Sequence, residues 1–168
     1  MNRRLLSMLV SNQPGVLSRV AGLFTRRGYN IDSLTVSTTQ DDAVSRITVV
    51  VTADETMLEQ IVKQVEKLID VKVVSVLDAA PATCREVALV KVRNDCSHAL
   101  MDTVNLAHAS VVDMGQGTIT VEYVGNIDEV DRFIETLAPF GVVEMARTGL
   151  VALSRGDGNL LDAGGQII

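Results

Sequence analysis

The residues best placed to do chemistry are Ser11, Asn12, Gln13, Pro14 and Gly15, a polar loop between an apolar run and a helical pattern. A helix that begins there leaves its first N–H groups without intrahelical partners and presents the positive end of its dipole, a setting that suits a carboxylate or phosphate. Gly15 lets a ligand approach the backbone, and Asn12 offers both a donor and an acceptor. The same pattern also serves a plainer purpose, with Asn12 as the helix cap and Pro14 in the first turn. Asn30 opens a strand just after the Gly28-Tyr29 corner, where a turn asparagine in the left-handed conformation is an equally good account. Other groupings carry less. Cys96-Ser97-His98 has no third orienting group, its neighbours do not face one another on a helix, and with His108 it lacks the paired spacing of zinc ligands. The carboxylates Asp41, Asp42, Asp54, Glu55 and those at 128–131 fall in turns or helix starts, where acidic residues serve dipole and solubility. No GxGxxG follows a strand, and there is no P-loop and no GxSxG. No catalytic residue and no metal ligand is assigned.

Composition narrows the partners. Fifteen Lys and Arg against 21 Asp and Glu give a net charge of -6, the wrong sign for a protein that lives on phosphate backbones. Aromatics are 3% and Trp is absent, so base-stacking platforms have little material. No apolar run reaches the roughly 18 residues of a membrane helix, and the amino terminus lacks a small-residue cleavage site. Two cysteines without a CxxC pair fit a reducing compartment. The expectation is a soluble, unprocessed cytoplasmic protein.

The elements that position the loop follow from periodicity. RLLSMLV (4–10) reads as a buried strand, and Leu17, Val20, Ala21 and Phe24 mark a helix over about 15–27 that ends at Gly28. NIDSLTVSTT and VSRITVVVT, separated by QDDA, read as a hairpin. After Asp54, a helix cap, Leu58, Ile61, Val62, Val65, Leu68 and Ile69 form a continuous apolar stripe, and VKVVSVL (71–77) closes the unit. The order then recurs past a linker at 79–84: a strand at 86–92, a weaker helix with Leu100, Met101, Val104 and Ala107, a hairpin about Gly115-Gln116-Gly117, a helix with Val130, Phe133, Ile134 and Leu137, and VVEMA. Both halves read βαββαβ, an α+β class of two consecutive ferredoxin-like domains. At about 75 residues each half has a marginal core, so oligomerisation or docking between halves is expected.

SNQPGVLSRVAGLFTRRGYNIDSLTV (11–36), with the 58–69 helix, resembles the amino-terminal ACT domain of the regulatory small subunit of acetolactate synthase, also called acetohydroxyacid synthase. REVALVKV (85–92), VVDMGQGTITVEYVG (111–125) and EMARTGLVALSRG (144–156) resemble that subunit's second domain and ending. The likeness spans about residues 3–156. RNDCSHALMDTVNLAHAS (93–110) departs from it, being apolar and small where the family has a more charged helix, so the surface of that helix is not carried over.

The resemblance implies an ACT effector-binding domain at 1–78 and a carboxyl-terminal domain at 85–156; the Gly-rich end, without a sustained period, reads as a flexible tail at 157–168. It implies a non-catalytic subunit that activates a larger catalytic subunit carrying thiamine diphosphate, magnesium and FAD, and that confers inhibition by valine, or by leucine or isoleucine. Its effector motif falls on Asn12, Gly15, Val16 and Leu17, with Asn30 and Ile31 across a homodimer interface. The helix start would take the effector's carboxylate, Asn12 or Asn30 its ammonium, and Val16 and Ile31 its branched side chain. SLTVSTT, an edge strand without Pro or Lys, would form the dimer by pairing with its twin. TGLVALS, flanked by Arg147 and Arg155, is either a surface for the large subunit or an extra strand on its own domain. A free-standing tandem-ACT amino-acid sensor is the alternative to the subunit role.

Overall fold

A computed structural model describes residues 2–77, 82–93 and 98–160. They divide into two compact units, one of residues up to 83 together with those from Leu150 onward, the other Cys84–Gly149. In the first, β1 (Asn2–Ser11), α1 (Val16–Arg26), β2 (Ser33–Thr38), β3 (Val44–Ala53), α2 (Glu55–Val65) and β4 (Val71–Val76) follow the expected order. The sheet runs β2-β3-β1-β4, all antiparallel. Leu6, Met8 and Val10 of β1 and Ile47, Val49 and Val51 of β3 share a face with Val16, Val20, Leu23 and Phe24 of α1 and Leu58, Ile61 and Val65 of α2. Alternation along each strand sets that face.

Capping explains where the helices begin. The Asp54 side chain accepts from the Met57 N–H at 2.8 Å, as its type and position predict. The far end of α2 differs from the expected stripe: the helix stops at Val65, and Ile69, beyond it in the turn to β4, is 97% exposed. Its spacing continued a helix that the chain does not continue. Gly28 takes φ +71°, and Tyr29 N–H returns to the Phe24 carbonyl, which closes α1 as the sequence suggests.

The second unit repeats the plan with β5 (Ala82–Arg93), α3 (His98–Leu106), β6 (Ser110–Met114), β7 (Thr118–Gly125), α4 (Ile127–Leu137) and β8 (Val142–Arg147). Its strands run β6-β7-β5-β8. Ala88, Val90, Val92, Ile119 and Val121 pack against Leu100 and Val104 of α3 and Val130, Phe133 and Leu137 of α4. Gly115 N–H bonds the Thr118 carbonyl at the expected hairpin. Glu86, 4% exposed, takes a bidentate bond from Arg147, whose remaining amino group reaches Asp131 on α4 at 2.7 Å. This pairing ties β5, β8 and α4 together, and it leaves the buried carboxylate with its charge answered.

The chain's end packs far from its place in the sequence. Residues 151–154 form β9 (Val151–Ser154), and by compactness the segment from Leu150 groups with the first unit. Leu150 N–H meets the Ser33 hydroxyl at 3.4 Å, and Leu160 is buried with Leu9 and Val44 on the sheet face away from the helices. Apolar spacing in 150–160 has no helical or strand period long enough to show where it docks. Leu160 falls within the expected flexible tail; residues 161–168, the linker's 79–81 and Cys96-Ser97 lie outside the described residues.

Candidate functional site

The loop from Ser11 to Gly15 is held at both sides by backbone. Ser11 N–H donates to the Asp70 carbonyl at 2.9 Å, and Asn12 N–H to the Ala43 carbonyl at 2.8 Å. Asn12 does not cap α1: its side-chain amide donates instead to the Asp42 carbonyl at 2.8 Å, which fastens the loop to the β2–β3 hairpin. The residue before the helix is Gly15, at φ +85°, and no side chain caps it. A left-handed residue at that point favours glycine, and the first turn holds no acidic residue. Apart from Val16, whose N–H reaches the Gln13 carbonyl, the N–H groups of the first turn meet no side-chain oxygen.

Val16 and Leu17 part company. Val16 is 3% exposed and lies in the core, with its N–H on the Gln13 carbonyl at 3.3 Å, so its side chain is not the free aliphatic wall expected of it. Leu17 stands on the surface at 42% exposure. Ile31 is half-buried against the core, and Asn30 donates to Asp32, whose other oxygen accepts from Thr52 at 2.7 Å. Asn12 and Asn30 border opposite ends of the 11-residue α1, about 16 Å apart along its axis. One protomer thus brings Asn12, Gly15 and Leu17 together and leaves Asn30 and Ile31 at the other end of the helix.

Arg19 was not singled out in the sequence. Its Nε donates to Asp70 Oδ2 at 2.6 Å, and a Cβ on Gly15 would lie 3.1 Å from its Nη1. The hydrogen bond that Arg19 donates to Asp70 raises the Arg19 pKa above its ordinary value. The i, i+4 spacing of Gly15 and Arg19 shows that they share a helix face, whereas nothing in the sequence pairs Arg19 with a carboxylate 51 residues away. Among the described residues no group of three or more His, Cys, Asp or Glu could hold a metal ion, and no helix is long and apolar enough to cross a membrane.

The chain thus holds two α+β units of ferredoxin-like plan, the first with an uncapped, glycine-led helix start. Residues 6–73 match the family described as the AHAS small subunit-like ACT domain, and residues 85–156 match the small subunit of acetolactate synthase. The chain is 46% identical over 153 residues to the acetolactate synthase small subunit of Mycobacterium bovis, covering 90% of this chain and 91% of that one. It is 42% identical over 155 residues to the probable acetolactate synthase small subunit of Methanothermobacter thermautotrophicus, covering 90% and 92%. The crystal structure of the Thermotoga maritima acetolactate synthase small subunit superposes with a TM-score of 0.85 at 38% identity, over 94% of this chain and all of that one. The chain belongs to the acetolactate synthase small subunit family.

Proposed function

We propose that this chain is the regulatory subunit of acetolactate synthase in branched-chain amino acid biosynthesis, a non-catalytic partner that activates the thiamine-diphosphate-dependent large subunit and makes it answer to valine. Thiamine diphosphate, magnesium and FAD belong to that catalytic partner. The bare start of α1, in a chain of this family, carries the proposal: Gly15, Leu17 and Ser18 offer N–H groups to the effector's carboxylate, and the Asn12 side-chain oxygen accepts from its ammonium. Two protomers paired through the β2 edges would bring Asn30 and Ile31 of one toward Asn12 of the other.

Calorimetry with L-valine, and a pyruvate condensation assay with and without the large subunit, test this. The expected result is saturable valine binding, no turnover by the chain alone, and a large subunit that it activates and valine then restrains. Asn12→Ala should weaken valine binding about tenfold while activation persists, since a lost hydrogen bond to a charged group is worth about 1.5–3 kcal/mol. Valine binding without a copurifying large subunit would favour a free-standing sensor. Sedimentation at micromolar concentration should give a dimer that dissociates when residues 1–78 are removed.

A further inference from the structure

We propose that Arg19 reads the effector's carboxylate and that Asp70 holds it in place to do so; this rests on the effector site proposed at the start of α1. The guanidinium is anchored through one nitrogen only. Nε is bonded to Asp70 at 2.6 Å, Asp70 is itself largely buried, and its carbonyl accepts from Ser11 in the same loop. Nη1 and Nη2 make no further bond among the described residues, and half of the Arg19 side chain faces solvent. Gly15 has no side chain to keep the Nη1 group away from the backbone where the first-turn N–H groups emerge. The two free amino groups form the fork that a carboxylate accepts in bidentate fashion. The other well-defined helix starts are closed to an anion: α2 is capped by Asp54 and followed by Glu55, and α4 carries a capping box of Asn126 and Glu129 beside Asp128. Charge at the start of α1 is of the opposite kind, with Arg19 and no first-turn acid.

The experiment compares L-valine with L-valinamide, which keeps the ammonium and side chain but has no carboxylate, on the full-length protein. Wild type should bind valine well and valinamide far more weakly. Arg19→Gln should lower valine affinity about tenfold to a hundredfold and leave valinamide affinity unchanged, since a charge-assisted bond is worth about 1.5–3 kcal/mol. Arg19→Lys should recover part of the loss, because it restores charge without the fork. Asp70→Asn keeps the guanidinium but loosens its anchor, so it should weaken valine and spare valinamide; it decides the matter if Arg19→Gln does not fold. Equal valine binding by wild type and Arg19→Gln, or by wild type and Asp70→Asn where only that variant folds, overturns the role of Arg19. An absence of valine binding by wild type overturns the effector site itself.

Discussion

The two units share one strand order, yet their sheets are buried differently. Along β1 six consecutive residues from Leu5 to Val10 are buried, and β3 is nearly as continuous, whereas β5 alternates buried with exposed positions. Leu9 and Leu89 make the contrast plain: both point away from the helices, and Leu9 is 5% exposed against 40% for Leu89. A continuous apolar run belongs to a strand covered on both faces, and alternation to one covered on a single face. On the first sheet part of that second cover comes from the chain's own end, Leu160 over Leu9 and Val44. The lesson is that a unit's boundary in space need not follow its boundary along the chain.

The largest test of this contrast is a charge placed on each outer face. Leu9→Lys buries a cation opposite Arg46 and should cost about 4 kcal/mol or more, enough to unfold the first unit. Leu89→Lys, facing Glu122 across the ladder, should stay within about 0.5 kcal/mol. Urea denaturation of the two variants measures the difference; similar losses would break the comparison. A smaller effect is expected from removing residues 150–168. Uncovering Leu9 and Val44 should cost about 2–4 kcal/mol. Hydrogen exchange should locate the loss in β1 and β3, with β5 losing only the bonds it makes to β9 and β7 staying protected, and uniform loss would refute the assignment of the segment to the first unit.

The helix starts give the smallest effects. Asn126→Ala removes a capping box and should destabilise by about 1 kcal/mol, read as a lower thermal midpoint. Asn12→Ala, although an asparagine just before a helix, removes no cap and should leave that midpoint within the range of ordinary surface substitutions, about 0.5 kcal/mol. A full capping-sized loss at Asn12 would place its side chain on the helix after all.

Much of this fold was legible because its periods are clean. Leu6, Met8 and Val10 alternate, Val20, Leu23 and Phe24 share a helical face, and Gly15 and Gly28 stand where the backbone turns left-handed. What escaped the sequence depends on partners distant along the chain. Asn12 reads in the sequence as a local cap or a ligand contact, and its side-chain amide instead donates to the Asp42 carbonyl 30 residues away. Val16 fits the effector motif by position, but its place one turn before Val20 puts it in the core. Arg19 draws its meaning from Asp70, and 150–160 from strands more than a hundred residues earlier; local pattern encodes neither.

Because residues from Leu150 onward complete the first unit, the domain that leaves the ribosome first is the last to be finished. At about 5–20 residues per second, some 4–15 s of synthesis separate residue 83 from residue 160. Throughout that interval the outer face around Leu9 and Val44 lacks Leu160, while Cys84–Gly149 has all of its own residues in hand earlier. The nascent chain therefore passes through a window in which its first unit is still open on one side, and a second copy, or a chaperone, competes for a surface that the finished protein hides.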